Sequence, residues 1–154
     1  MKLTEMLKPA HVLVPLEAAD KWQAIRVMAQ ALVAAGAMPE RLYETVETAL
    51  FTRERSMSTG MEQGIAIPHA AVEGVPEVVA ALAISQRGIP FEALDQRPAR
   101  ILVCLVVPRE KKLLHIKTLA SIAKLLSRGE VRERILACQS AVEVLDVVAR
   151  EEGA

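Results

Sequence analysis

This chain has no excess of charge of either sign: it carries 19 basic and 19 acidic side chains and has a formal net charge of zero at pH 7. Without a broad basic field, a role in nucleic-acid binding has little support. Long apolar runs are missing too: the longest, residues 101–107, falls far short of the roughly 20 residues that cross a bilayer. Residues 1–9 hold lysines but no apolar signal-peptide core. We therefore expect no nucleic-acid partner and no insertion into a membrane.

Cysteine is scarce as well. The two cysteines, Cys104 and Cys138, lie far apart in the sequence and in apolar surroundings. This pattern predicts buried free thiols in a reducing cytoplasm rather than a disulfide or a metal-binding pair. No close-spaced set of metal ligands is visible, so no metal is expected.

The balance of apolar and charged residues is that of a globular protein, at 52% and 25% of 154 residues. This length can bury a full core, and we expect one domain over residues 1–154. The apolar fraction is high enough to allow an exposed patch, which leaves a homodimer open.

Strand-like and helix-like apolar segments alternate along the chain, which predicts an α/β domain. Residues 101–107 show no polar–apolar alternation, so both faces of this segment are expected to be covered, as in a central strand. Shorter apolar segments predict strands at residues 11–15 and 78–85, with His11 at the surface, and a loop is expected over residues 70–76.

Helix boundaries are marked by capping residues. Asp20 with Gln23 forms a capping box at the start of one predicted helix, and Gly36 ends it. Pro39 is expected to occupy the first position of a second helix, which runs out near residues 53–55. Further helices are expected at residues 111–127 and 130–137 and after a Ser140–Glu143 capping box, with a frayed tail at residues 150–154.

The chemistry is concentrated around the letters GIAIPH at residues 64–69. Pro68 fixes its own φ and keeps the residue before it extended, so the imidazole of His69 is held on a stiff segment. Before it, residues 58–64 include Ser58, Thr59 and two glycines, a composition that can bring N–H groups and hydroxyls close to an anion. A structural histidine is the commoner interpretation of such residues alone. The combination nevertheless indicates a nucleophile that accepts a phosphoryl group.

Three further residues are candidates for the same site. Arg53 and Arg55, at the end of the second predicted helix, are expected at its rim, although a charge that interacts with the helix dipole would explain either arginine. His115 lies in the first turns of the helix after the central strand, and sites gather at strand ends in open α/β sheets. It could approach His69 or face solvent, and sequence spacing does not decide between the two.

Residues 53–69, RERSMSTGMEQGIAIPH, resemble the signature of the enzyme IIA domains of the bacterial phosphotransferase system. The resemblance is to the fructose–mannitol class, which includes the nitrogen-regulatory members. It continues through VP at residues 107–108 and HIKTLA at residues 115–120, and it covers roughly residues 7–148.

The resemblance implies a single-domain α/β sandwich, with a mixed β-sheet flanked by helices. It also implies an activity: the domain takes a phosphoryl group from the histidine of the phosphocarrier HPr, or of its nitrogen-branch counterpart, onto its own histidine. Transporting members then pass the group to a IIB domain. Carried over by motif, His69 is the phosphorylated residue, His115 the second site histidine and Arg53 the arginine that precedes the acceptor.

Chemistry assigns the roles within this implied site. The acceptor imidazole must be neutral at one nitrogen to attack phosphorus, and its other nitrogen needs a hydrogen-bond acceptor, for which we expect a backbone carbonyl or water. The transferring group spreads negative charge over its oxygens, so it needs hydrogen-bond donors and positive charge around it. Arg53 supplies a planar, positively charged guanidinium and His115 an N–H donor, and Thr59 or Ser58 can supply a hydroxyl donor. No cofactor or metal is required, since the group moves between two histidines without a nucleotide.

The sequence departs from the family's usual pattern in three places. Ala70 stands where glycine commonly follows the histidine, residues 61–63 replace an apolar-Gly-Asn stretch, and Met57 replaces another frequent glycine. Ala70 would be costly if its φ were positive. Glu62 places a carboxylate near the phosphoryl group unless it pairs with Arg55 or faces away. These changes put partner choice and transfer rate in doubt.

Several functions compete. Because no IIB or IIC segment is evident, we expect a free-standing phosphocarrier with a regulatory output, and a free-standing sugar IIA component is the nearest alternative. A pure binding module, with transfer lost and output set by a regulatory target protein, is motivated by the departures around His69. A metal-dependent hydrolase that uses His69 and His115 is weak, since it lacks a third ligand at a convincing spacing.

Overall fold

The computed structural model describes residues 2–153 and contains one six-stranded sheet with helices on both faces. The helices are α1 (Leu3–Met6), α2 (Lys21–Ala34), α3 (Tyr43–Ser56), α4 (Lys112–Leu126), α5 (Gly129–Leu136) and α6 (Ala141–Glu152). The strands are β1 (Val12–Leu13), β2 (Gly60–Met61), β3 (Ile65–Ala66), β4 (His69–Val72), β5 (Val79–Ile89) and β6 (Ala99–Pro108). The predicted mixed sheet flanked by helices is confirmed.

The sheet is built around β6, the apolar segment that lacks alternation. β5 pairs with β6 in antiparallel orientation, and β3 and β4 pair with its other edge in parallel orientation. β1 adds to β5 in parallel and β2 to β3 in antiparallel orientation. Residues 101–107 are all fully or almost fully buried, as expected of a central strand covered on both faces.

β3 and β4 form one line of chain that Pro68 interrupts. Ile65 faces Ile101 and His69 faces Leu105, so the pairing with β6 keeps one register across the gap. Proline cannot donate to a ladder, which accounts for the break, but its carbonyl still accepts from the Leu105 N–H at 2.9 Å. The residue after the proline is therefore fixed against the central strand.

Two apolar layers cover the sheet. One lies between the sheet and helices α2 and α3, and the other between the sheet and helices α1, α4, α5 and α6. Successive side chains on a strand alternate between faces. Ala66, Ala70 and Val72 accordingly belong to the first layer, whereas Ile65 and Ile67 belong to the second.

Helix starts agree with the predicted caps in part. The Asp20 carboxylate accepts the Gln23 N–H at 2.9 Å, and the Ser140 hydroxyl accepts the Glu143 N–H at 3.2 Å. In a full capping box the side chain of the third helical residue accepts the backbone N–H of the cap. Here Gln23 accepts from Ala19, and Glu143 from Gln139, so in each case the donor is the residue before the cap. The predicted place of Pro39 is wrong: it precedes a 3₁₀ turn at Glu40–Leu42, and α3 begins only at Tyr43.

Three other expectations about the chain are corrected. His11 is not at the surface but 4% exposed, and its Nδ1 lies 3.1 Å from the Met6 carbonyl oxygen. The segment predicted as a loop after residue 69 begins as strand β4, because its apolar side chains pack into both layers. The strand expected at residues 78–85 is longer than predicted, because β5 continues to Ile89 through a register shift between Ile84 and Ile89.

The expectation for the C-terminal segment is corrected as well, because α6 continues to Glu152 instead of fraying after residue 150. Two glutamates hold its last turn. Glu151 is buried and accepts hydrogen bonds from Arg128 and Arg134, and the Glu152 carboxylate accepts the backbone N–H of Thr4 at 3.0 Å. Ala154, the last residue of the predicted tail, lies outside the described residues.

The two cysteines are free and buried, as predicted from their apolar surroundings. Burial raises the pKa of the Cys104 thiol to about 12. None of the helices described within residues 2–153 has the length and hydrophobicity that a membrane crossing demands.

Candidate phosphoryl-acceptor site

His69 is the first residue of β4, and strand alternation decides which way it faces. Ile65, Ile67 and His69 are two residues apart in turn, and both isoleucines point to the layer that contains α4. The same alternation carries the half-buried imidazole of His69 to the α4 side of the sheet. The pairing of His69 with Leu105 of β6 fixes the histidine at the end of the stiff apolar segment that the sequence predicted.

One ring nitrogen of His69 is engaged by the backbone. Its Nδ1 lies 2.7 Å from the carbonyl oxygen of Ile67. A carbonyl can only accept, so this nitrogen carries the proton and Nε2 is the one with the free electron pair. Desolvation by burial lowers the pKa of His69, and the charge of Arg53 and the proximity of His115 lower it further, against the opposing effect of the Ile67 bond. The arrangement favours a neutral imidazole with Nε2 available.

His115 lies beside this ring and does not face away from it. It sits in the first turns of α4, and the two imidazole centroids are 5.3 Å apart at an interplanar angle of 72°. Its Nε2 is buried and has no hydrogen-bond partner among the described residues. Partial burial lowers the pKa of His115, and the charge of Arg53 contributes. The sequence left the direction of His115 open, and the packing of α4 on the sheet decides it.

Arg53, Ser58, Thr59 and His69 line one cleft of about 260 Å³, together with apolar side chains of α4. The Arg53 guanidinium donates to the Met57 carbonyl at 2.7 Å and has no carboxylate partner among residues 2–153. Four of the six residues proposed from the sequence therefore line one cleft, and a fifth, His115, lies against the ring of His69. The sixth, Arg55, is exposed and does not line the cleft.

The hydroxyl protons of the two polar loop residues are already in use. The Ser58 hydroxyl donates to the Phe91 carbonyl, and the Thr59 hydroxyl donates to the Glu54 carboxylate. In this arrangement neither hydroxyl is free to donate to a phosphoryl group, which is the role suggested for them from the sequence. Their bonds fix the loop that forms the cleft wall instead.

Sequence reasoning missed the partner of Thr59. Glu54 is 2% exposed, and its carboxylate also accepts the Thr59 backbone N–H at 2.9 Å and the Lys21 ammonium at 3.3 Å. The sequence held one indication that Glu54 has a special role. It lies in the last turn of a predicted helix, where a negative charge is unfavourable because that end of the helix dipole is also negative. Lys21, the first residue of α2, is placed unfavourably in the same sense, but no local pattern pairs it with Glu54, which is 33 positions away.

The departures from the family pattern are accommodated locally. Ala70 lies in β4 without a positive φ and buries its methyl group in the layer under α2 and α3. Gln63 does have a positive φ of 74°, and its N–H donates to the Asp95 carboxylate at 2.9 Å. The exposed Glu62 lines a neighbouring groove with Met61 rather than the cleft of His69.

Other surface features offer less chemistry. A larger cleft of about 710 Å³ lies between α2 and the start of α3, but its lining contains no histidine. Within the described part of the chain, no group of three or more histidine, cysteine, aspartate or glutamate side chains is arranged to hold a metal ion. The two neighbouring histidines are thus the strongest candidate site.

A family model described as "Phosphoenolpyruvate-dependent sugar phosphotransferase system, EIIA 2" matches residues 5–151. The chain therefore belongs to this family of phosphotransferase-system components, in agreement with the resemblance of residues 53–69. The predicted class of fold and the predicted phosphocarrier family are confirmed.

Relatives of both functional kinds are similar to the chain. A "PTS system fructose-specific EIIA component" of Haloferax volcanii is 35% identical over 85% of this chain and 84% of its own length. A "Nitrogen regulatory protein" of Pseudomonas aeruginosa is 30% identical over 96% and 95%. The crystal structure of nitrogen regulatory protein IIA-Ntr from Neisseria meningitidis superposes with a TM-score of 0.84 at 28% identity, over 95% of this chain and 98% of that one. The chain spans 24% of the length of a longer relative, the fructose-specific EIIABC component of Bacillus subtilis.

Proposed function

We propose that this chain is a phosphocarrier that accepts a phosphoryl group on Nε2 of His69 from the phosphohistidine of an HPr-like protein. The single observation that carries the proposal is the 2.7 Å contact between Nδ1 of His69 and the Ile67 carbonyl. It leaves Nε2 as the free nucleophile on a ring held by a strand. The family, whose members are phosphotransferase components, supports the same reaction.

The transfer is balanced without any added proton. The electron pair on Nε2 of His69 forms the new N–P bond as the N–P bond of the donor histidine breaks. The donor imidazole, which carries a proton on its other ring nitrogen, leaves with the bonding pair as a neutral ring, while the proton on Nδ1 of His69 stays in its bond to the Ile67 carbonyl. Return of the group to another histidine is the reverse step, which suits a carrier rather than an end point.

Arg53 and His115 would stabilise the charge on the transferring group. The Arg53 guanidinium lines the same cleft as His69, so it can offer a second N–H to the phosphoryl oxygens. The unpartnered Nε2 of His115 gains a partner when its N–H donates to such an oxygen. Such donors stabilise most where charge develops during transfer, in a site partly shielded from water.

A protein donor fits the surface around the site. Met57, the residue after α3, is 70% exposed, and Leu113 and Ile116 flank His115 on α4 at 65% and 66% exposure. Exposed apolar side chains around a cleft are typical of protein–protein contact. We propose that an HPr-like phosphocarrier docks on this rim, with Nε2 of His69 at its centre.

A regulatory output is our first interpretation of the step after phosphorylation. It is supported by the likeness to nitrogen regulatory proteins along nearly the whole chain. A free-standing sugar IIA component, which passes the group to a IIB domain, is the second candidate, and the fructose-specific relative favours it. We also propose a cytoplasmic location, because two free buried thiols are typical of a reducing compartment.

The binding-module alternative loses part of its motivation. It depended on the departures around His69, and both the alanine after the acceptor and the carboxylate of Glu62 are placed without obstructing the cleft. A partner-binding signal that is independent of phosphorylation would restore it: His69→Ala would then leave partner binding and the cellular phenotype unchanged.

The test is phosphotransfer with purified components: phosphoenolpyruvate, enzyme I and HPr-like proteins of the source organism, and this protein. We expect intact mass to show one added phosphoryl group that is stable in base and labile in acid. His69→Ala should show none, and Lys117→Ala, at an exposed position close to His115 on α4, serves as a matched control that retains it. Absence of an adduct from every native donor would refute the carrier function.

A further inference from the structure

Two charged side chains near the site lie at the unfavourable ends of their helices. Lys21 is the first residue of α2, where the helix dipole is positive, and Glu54 lies in the last turn of α3, where it is negative. Both are almost fully buried, at 6% and 2% exposure, and their charged atoms are 3.3 Å apart. Burial of an ion pair is weak evidence for stability, since desolvation opposes the attraction. The position of the Lys21–Glu54 pair near the acceptor cleft therefore suggests a role other than stabilising the fold.

The pair is connected to the wall of the acceptor cleft by several bonds. The Glu54 carboxylate accepts both the N–H and the hydroxyl of Thr59. Lys21 also contacts the Glu92 carboxylate at 2.9 Å. The neighbour of Glu92, Phe91, accepts the Ser58 hydroxyl on its carbonyl. The Ser58–Thr59 segment is therefore held from both sides by groups that Lys21 joins.

Gly60 shows how tightly this segment is seated. A Cβ at this position would lie 2.7 Å from the Phe91 carbonyl oxygen and 2.8 Å from the Phe91 Cβ, closer than real Cβ atoms come. The backbone of Gly60 thus packs directly on Phe91 where β2 begins. A loop clamped at three consecutive residues has little freedom to move against His69.

We propose that Glu54 and Lys21 are positioning residues for phosphoryl transfer, and that their buried pair fixes the Ser58–Gly60 segment against Nε2 of His69 and the Arg53 guanidinium. This inference rests on the proposed function and adds to it two residues that do not line the cleft. The expected signature is a loss in the transfer step with little change in docking, because the exposed rim is untouched. A small misplacement of groups around a reacting atom can reduce a rate by up to about 100-fold.

The experiment compares wild type with Glu54→Gln, Lys21→Met and the double variant, using two donors. One donor is the phosphorylated HPr-like protein, which yields kcat and KM. The other is phosphoramidate, whose P–N bond breaks as ammonia leaves with the bonding pair and Nε2 of His69 takes the phosphoryl group. Phosphoramidate needs no docking surface, so it reports the local arrangement alone.

With both donors we expect each single variant to be at least about tenfold slower than wild type, at an unchanged KM for the protein donor. The double variant should be no slower than the worse single variant, because the pair acts as one unit. Glu44→Gln, an exposed charge on the same helix, is the matched control and should keep the wild-type rate. Thr59→Ser, which keeps the hydroxyl, should retain more of the rate than Thr59→Val.

The outcomes separate the two proposals. If wild type takes up the group and Glu54→Gln does so at the same kcat, the positioning inference is wrong while the carrier function stands. If wild type takes up no group from either donor, the carrier function fails and this inference fails with it. Circular dichroism and a melting curve establish that each variant is folded; should Glu54→Gln not fold, Lys21→Met and the Thr59 pair decide the question in its place.

Discussion

The rings of His69 and His115 meet edge to face, 5.3 Å apart between centroids, although 46 residues separate them in the sequence. Burial is the largest cause of the lowered pKa of each ring, and the charge of Arg53 acts on both. Two imidazolium ions at this separation, next to a guanidinium, would repel one another. The resting site therefore holds two neutral rings beside one fixed positive charge.

This arrangement predicts how transfer depends on pH. Since the pKa of His69 lies below the ordinary value of about 6.5, more than half of the His69 rings keep the electron pair on Nε2 at that pH. As the pH is lowered, we expect loss of this electron pair to slow phosphoryl uptake with a midpoint below about 6.5. NMR titration of the His69 ring protons would check it. A midpoint above about 6.5 would contradict the prediction.

Stability should depend on the same groups with a definite sign. In the unfolded chain both histidines titrate near 6.5, whereas in the folded chain their pKa values are lower. Between these values the unfolded state binds more protons, so the free energy of unfolding decreases as the pH falls through this window and is unaffected above it. Urea unfolding at about pH 7.5, 6.5 and 5.5 measures the slope, and the His69→Ala/His115→Ala double variant should flatten it.

Arg53→Gln should affect two observables at once. It removes a cleft-lining charge that can stabilise the transferring group, for which we expect a rate lower by roughly 100-fold or more. It also removes one cause of the lowered His69 pKa, so that pKa should rise toward its ordinary value. Rapid-quench transfer assays and an NMR titration provide the two readouts.

Arg55, an exposed arginine two residues further on, offers the control for this prediction. Arg55→Gln should change neither the rate by more than about twofold nor the His69 pKa, because the arginine does not line the cleft. Equal effects of the two substitutions would mean that any positive charge at the end of α3 influences the rate and the His69 pKa in the same way, and that the position of Arg53 in the cleft is not important.

Ala70→Gly tests whether the departure from the family's usual glycine costs activity. Ala70 lies in a strand without a positive φ and packs its methyl group in the core, so glycine should destabilise the fold by about 1 kcal/mol. The transfer rate should stay within about twofold of wild type. Denaturant unfolding and the uptake assay measure the two effects, and a variant that is both stabler and much faster than wild type would contradict this view of Ala70.

Glu152→Ala tests the ordering of the C-terminal helix. Its carboxylate accepts from the Thr4 N–H at 3.0 Å and from the Thr4 hydroxyl at 2.8 Å, and thereby joins α6 to α1. We expect a loss of about 1–2 kcal/mol in the free energy of unfolding. Asp146→Ala removes an exposed pair with Arg150 on the same helix and should cost about 0.5 kcal/mol or less. Equal losses would indicate that the contact between the last turn and Thr4 contributes nothing.

Much of the architecture could be predicted from local patterns. The unalternating residues 101–107 form the central strand, and Asp20 and Ser140 cap the helices they were expected to cap. These signals are short in range, since a cap and its partner are three residues apart. The wrong expectation for the C-terminal tail depended on distant partners instead: the tail is held by Arg128 and Thr4, which no local pattern connects to α6.

The candidate site divides in the same way. The sequence by itself determined that His69 comes after a rigid segment and that Arg53, Ser58 and Thr59 precede it, because these features lie on one continuous stretch. Only the tertiary structure decided that His115 faces His69, that Ile67 takes the Nδ1 proton, and that Lys21 and Glu54 lie under the loop. These contacts join residues through sheet register and helix packing, which depend on the whole chain, so local sequence patterns cannot specify them.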